Sequence, residues 1–202
     1  MISAVALPVL LQTESWIYPL SAVGLTLVIC WIQMLLEKKG AYPEVNFQPG
    51  QPISRESAKD GGLRILCAAV IAAVVLPIGW KFCIAPPLLV AFTELSGKGG
   101  AGKNPYKVVA LVSLCAVEGA VMRLLLAEAA GMPLALAALM ASAGFLLLMY
   151  LFKMWMPPAG AMSILPMLIP AENLILYPLQ VFAGISVLTA LAMILFQKRK
   201  RP

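Results

Sequence analysis

The stretch IYPLSAVGLTLVICWIQMLL, Ile17 to Leu36, decides how the rest of the chain is read. It is apolar from end to end. A helix of about 20 residues rising about 1.5 Å each crosses a hydrocarbon core of about 30 Å. Trp16 and Tyr18 mark one interface, and Glu37, Lys38 and Lys39 the other, the pattern of an aromatic belt on one side and basic anchors on the opposite side.

Composition extends this reading to the whole chain. Of 202 residues, 61% are hydrophobic and 12% charged, against about 45–50% and about 25% in soluble domains. Only lipid can solvate that much apolar surface, and in lipid only helices or closed barrels satisfy their own backbone. The apolar runs are continuous, not alternating, which selects helices.

Further spans are expected from Leu63 to Trp80, Val108 to Leu126, Leu134 to Lys153 and Leu179 to Phe196. Between them lie two apolar pieces too short to cross comfortably, Ile84 to Leu95 and Met156 to Pro170, opened by Pro86-Pro87 and Pro157-Pro158. The expected fold is an all-α polytopic membrane protein with about five full transmembrane helices and two short proline-opened segments. It forms a single transmembrane domain over 1–202: an N-terminal segment and first helix (1–36), a cytoplasmic loop (37–63), a first repeat (64–126) and a second (134–197). Met1 to Ser15 lacks the positive start of a signal peptide and reads as a retained outer segment. The repeat rests on the order of spans and on IAPPLLVAF and WMPPAGAMS, 71 residues apart. If Lys38, Lys39, Arg55, Lys59 and Arg64 are cytoplasmic and each short piece crosses once, then Lys98, Lys103, Lys107, Lys153 and the terminal Lys198-Arg199-Lys200-Arg201 also fall inside. Only Lys81 is misplaced, and Arg123 lies near an outer helix end from which it can snorkel. The two repeats then run in inverted topology.

Composition also excludes function classes. The chain has no histidine, which removes histidine relays and histidine-ligated metals. Cys30, Cys67, Cys83 and Cys115 are scattered without a C-x-x-C pair and read as small buried hydrophobes, so no metal and no cofactor is expected. The net charge of +6 belongs to the loops and does not point to nucleic acid. GKGGAGKN, Gly97 to Asn104, nearly spells a phosphate-binding loop. Asn104 replaces the required hydroxyl, and no strand precedes it.

The proline pairs carry the functional expectation. Proline is harmless at a first helical position, so each pair reads as the start of a broken helix. The first free N–H groups, near Leu88 and Leu89 after Pro87 and near Ala159, Gly160 and Ala161 after Pro158, would present positive dipole ends to a small anion at the midplane. Thr93 and Ser163 extend that set. Gly160 would let a ligand or backbone approach, with packing kinks as the alternative. Glu118 sits near the centre of its span, where a charge costs roughly 2.5–3.5 kcal/mol. It is read either as a proton-binding group of transport or as a structural carboxyl bonded to Ser or Thr of a neighbouring helix. Arg123, about 140° further round, does not share its face. Glu94 lines an inner mouth or marks the interface.

KMWMPPAGAMSILPML, Lys153 to Leu168, resembles the signature of the HPP family of integral membrane proteins, in which His-Pro-Pro-Ala-Gly-Ala follows an apolar helix. IAPPLLVAFTEL with the following NPYK resembles that family's first half, so the likeness covers roughly Gly62 to Gln197. Met156 stands where the family has histidine, and any role of that histidine does not carry over. Some members are associated with nitrite transport, so the resemblance implies a permease for a small inorganic anion. An enzyme is not expected, because the chain offers no histidine, no serine-nucleophile motif and no metal cluster, which leaves only Glu118 or a cysteine to serve. A non-catalytic scaffold or partner subunit is the alternative. The expected partners are the bilayer and a small anion, with homo-oligomerisation left open, and the expected location is a bacterial inner membrane with a cytoplasmic C-terminus.

Overall fold

In a computed structural model the described residues are 17–38, 55–97 and 104–197. The expected outer segment Met1 to Ser15, most of the first loop, residues 98–103 of the glycine-rich connection and the KRKR tail lie outside them. The described residues are helical and form no strand. Seven α-helices occur among them: α1 (Ile17–Lys38), α2 (Arg55–Val75), α3 (Pro86–Ser96), α4 (Pro105–Met122), α5 (Leu134–Phe152), α6 (Pro157–Ile164) and α7 (Tyr177–Ala192). A 3₁₀ turn, Lys81–Ile84, precedes α3, and another, Leu165–Met167, follows α6. π-helical turns prolong α4 over Arg123–Ala129 and α7 over Met193–Gln197. Three helices, Pro105–Ala129, Leu134–Phe152 and Tyr177–Phe196, are long and apolar enough to cross a membrane.

The chain divides into two compact units, Met1–Leu63 and Arg64–Pro202. The first contains α1, whose Leu27, Ile29, Trp31 and Met34 are exposed. α2 runs from one unit into the other and corrects the expected boundaries, because its helix begins at Arg55, inside the segment read as loop, and ends at Val75, not Trp80. Pro77 disfavours helical backbone at the residue before it. Gly79 then takes the left-handed φ of 80° that glycine adopts without strain.

The second unit is organised around α4, which packs against α5, α6 and α7. The two short helices pack on each other, and each also lies against the long helix of the other half: α3 on α7, α6 on α4. Glycines permit the closest approaches. A Cβ on Gly119 of α4 would collide with the Ser163 backbone of α6, and one on Gly184 of α7 with the backbone of Cys83 just before α3. Both crossings fall near the middle of the long helices.

Both short helices begin at their proline pairs, and both starts are buried: Ala85 and Met156, the residues before the pairs, are wholly inaccessible. Neither start has a side-chain cap, which would ordinarily strand four N–H groups. Here none is stranded. Ala85 donates to Phe82 O at 3.3 Å, the two prolines have no N–H, and Leu88 donates to Ala85 O at 2.8 Å. In α6, Met156 donates to Met149 Sδ at 3.3 Å and Ala159 to Met156 O at 3.0 Å, again on either side of two prolines. The proline pair is therefore how an uncapped helix can begin in an apolar interior.

Candidate functional site

Glu118 lies midway along the helix Pro105–Ala129, and the side of α4 that carries it faces α5 and α6. Ser163 Oγ, on α6, is 2.6 Å from Glu118 Oε2 and 3.1 Å from the Ala141 carbonyl of α5. Gly144, one turn further along α5, leaves the space that the carboxyl fills, since a Cβ there would overlap Glu118. Glu118 Oε1 is buried and has no hydrogen-bond partner among the described residues. Three helices thus meet at one carboxyl and one hydroxyl.

The hydroxyl has one proton and two acceptors within reach, which defines two arrangements. With Glu118 ionised, Ser163 donates to the carboxylate. With Glu118 protonated, the carboxyl O–H donates to Ser163 Oγ, and Ser163 donates to Ala141 O. The second arrangement uses every proton and leaves the partnerless Oε1 as a neutral carbonyl oxygen, cheaper to bury than half a charge. The two arrangements differ by one proton and a hydroxyl rotation.

The other expected residues are distributed differently. Leu88, Pro158, Ala159, Gly160 and Ser163 are buried, whereas Pro87, Leu89 and Glu94 are half-buried. Thr93 and Ala161 are exposed, and Thr93 donates its hydroxyl back to Val90 O at 2.7 Å, so neither lines an interior site. The N–H groups of Leu88 and Ala159 are not free, for the reason given above, and Leu89 N also reaches Ala85 O, at 3.4 Å. The space beside Gly160 is taken by Phe145, whose ring atoms would lie 2.8 Å from an added Cβ. The glycine of PPAGA accommodates an aromatic ring of α5.

Arg123 does not snorkel. Its side chain is 9% exposed, Nη1 donates to the carbonyls of Pro166 and Ile169, and Nε and Nη2 donate to Glu128 Oε1 at 3.2 and 3.1 Å. The five-residue spacing of this pair would diverge on an α-helix. The π turn, with its i→i+5 bonding, brings the two residues together. At the other end Arg64 of α2 donates from Nη2 to Ser96 O, at the last turn of α3, and lies 5.5 Å over the ring of Phe196. A cation there complements the negative end of α3.

A third polar group joins α7 to the 3₁₀ turn before α3 and to α6. Gln180 Oε1 accepts from Phe82 N at 3.1 Å, Cys83 Sγ donates to Gln180 O at 3.1 Å, and buried Tyr177 donates to Met162 O at 2.6 Å. Sequence reading passed over these residues. The available signal was an amide and a phenol at the head of an apolar span, where polar groups ordinarily find partners across helices.

No protein-family model, curated protein or solved structure matches this chain. Among the described residues, no group of three or more His, Cys, Asp or Glu could hold a metal ion. Cys83 and Cys115 are buried free thiols, Cys67 is half-buried and Cys30 is exposed.

Proposed function

We propose that the chain is a polytopic integral membrane protein of inner-membrane type that works as a proton-responsive permease for a small solute. The observation that carries this reading is the Glu118–Ser163 contact. An ionisable group at mid-span is expensive and ordinarily marks a transport path or proton relay. Here it joins a broken helix to two spanning ones, so its protonation bears directly on how α6 sits.

The arrangement of contacts supports the five-span topology with each short piece crossing once. Arg64, Ser96 and Phe196, which that topology places inside, lie together. Arg123, Glu128, Pro166 and Ile169, which it places outside, also lie together. The cross-packing of each short helix on the other half's long helix is what an inverted repeat produces. A small inorganic anion such as nitrite is the proposed solute on the PPAGA resemblance to the HPP family, with a cytoplasmic C-terminus.

The test is flux in proteoliposomes with a panel of nitrite, nitrate, formate and chloride at several pH values. Wild type should admit nitrite above protein-free vesicles, and Glu118→Gln, which keeps shape but cannot ionise, should flatten the pH dependence. A second reading, a non-catalytic scaffold, is favoured by the satisfied helix starts and by Phe145 filling the space at Gly160. Absence of flux for every anion would establish it over the first.

A further inference from the structure

Three of the backbone donors expected to hold an anion, those of Leu88, Leu89 and Ala159, are already in use, which turns the search to side-chain donors elsewhere in the molecule. The one buried guanidinium among the described residues is Arg123. It is held from behind, with Nη1 donating to the Pro166 and Ile169 carbonyls on the turn after α6. Its other edge, Nε and Nη2, is the edge that matches a planar oxyanion with two parallel hydrogen bonds. That edge is only half used: both nitrogens converge on the single oxygen Oε1 of Glu128, at 3.2 and 3.1 Å. The two partners differ in exposure. The Arg123 side chain is 9% exposed and that of Glu128 43%, and Glu128 stands next to the end of the helix Pro105–Ala129.

We infer that Arg123 is the anion-recognition residue of this protein, taking a small planar oxyanion on its Nε/Nη2 edge in exchange for the Glu128 carboxylate. The surroundings favour such an exchange. The same segments form an apolar cluster of Ala137, Ala141 and Met167, packed by Met122, Leu126 and Ala127, and hydrogen bonds to a fixed cation are stronger in that medium than in water. Glu128 can leave by side-chain rotation alone because its side chain is 43% exposed. Arg123 cannot follow, because two backbone carbonyls hold it. A resident carboxylate also keeps the cation from standing bare when no anion is bound, a state that is costly at this depth. A chloride ion would draw both nitrogens onto one acceptor, as Glu128 Oε1 does, whereas a planar oxyanion gives each nitrogen its own oxygen, so the edge favours the oxyanion by shape.

The inference rests on the permease reading only for the class of ligand, and its test does not require transport. Nitrite binding is measured by calorimetry on the purified protein in nanodiscs of neutral lipid, where no anionic headgroup competes, with chloride as the control. Glu128→Gln removes the competitor from a half-exposed position and should fold. Loss of an ion pair of that exposure should tighten nitrite binding about two- to fivefold. Arg123→Lys keeps the charge but lacks the planar edge, and should weaken nitrite at least about tenfold while bringing it level with chloride. Gel filtration and melting of each variant separate this from misfolding. Equal or weaker nitrite binding in Glu128→Gln, or nitrite and chloride bound alike by wild type, overturns the assignment. Binding with these responses but no flux upholds the site and refutes the permease.

Discussion

Gly119→Ala tests the close crossing of α4 and α6 on which the Glu118 site depends. The added methyl would overlap the Ser163 carbonyl oxygen, its nearest neighbour, and would lie 2.7 Å from the carbonyl carbon and 2.8 Å from Cα, against ordinary contact from 3.4 Å. These are backbone atoms and cannot rotate aside, so the helices must part by more than about 0.7 Å, the distance that the carbon contact alone requires and a range in which overpacking is felt. The same movement stretches the Ser163–Glu118 bond from 2.6 Å past roughly 3.3 Å, to the limit of a useful hydrogen bond or beyond it. Overpacking costs about 1–3 kcal/mol and the weakened bond about 0.5–1.5 kcal/mol, while alanine returns about 0.5–1 kcal/mol of helix propensity, leaving a net loss of about 2 kcal/mol. For a chain of this size that lowers the melting temperature by about 4–8 °C. The readout is the reaction of a thiol dye with buried Cys115 on heating in detergent, with Cys30, Cys67 and Cys83 replaced. Gly62→Ala, on α2 with nothing within 4 Å of its added methyl, serves as the neutral control. A Gly119→Ala protein that melts at or above wild type refutes the crossing and the site built on it.

Three other perturbations address separate contacts. Tyr177→Phe keeps the edge-to-face contact with Phe82, at 5.5 Å between centroids, but leaves the Met162 carbonyl without its donor, and should cost about 1 kcal/mol in the same melt. Gly160→Ala should destabilise by pressing on Phe145, and Phe145→Leu should relieve it, giving a double-mutant coupling of about 0.5–3 kcal/mol, where additive effects would show that the ring is not the obstacle. A cysteine at Ser3 should be modified from outside by a membrane-impermeant reagent and one in the KRKR tail should not; external labelling of both would invert or break the proposed topology.

The proline pairs were the most legible feature of the sequence, since proline fits only the first turn of a helix, and α3 and α6 begin where Pro86 and Pro157 stand. Their chemical meaning was not legible. Whether a helix start offers N–H groups to a ligand depends on what the neighbouring residues accept, and Phe82 and Met149 stand three and seven positions before their donors. Glu118 was conspicuous as a lone carboxyl in an apolar run, and its serine partner on another helix was one of the two readings. Which serine it would meet followed from a crossing set by Gly119, invisible without the fold. Arg123 and Glu128 were obscured by periodicity itself: five residues apart they diverge on an α-helix, and nothing in RLLLAEA announces a π turn. The early start of α2 was missed because Arg55 to Asp60 reads as polar loop, although a helix needs no apolar face where nothing packs on it.

A helix start with no donor left to offer has no partner to lose. An ordinary helix end that moves from one place in a protein to another must exchange its capping hydrogen bonds on the way, and each exchange is a barrier. Pro86-Pro87 and Pro157-Pro158 reduce that exchange for α3 and α6, whose first N–H groups after the prolines, those of Leu88 and Ala159, bond only to the residue just before each pair. What fixes each piece in place is then the glycine crossings and a few bonds from neighbouring helices, Gln180 on Phe82 N before α3 and Glu118 and Tyr177 on α6.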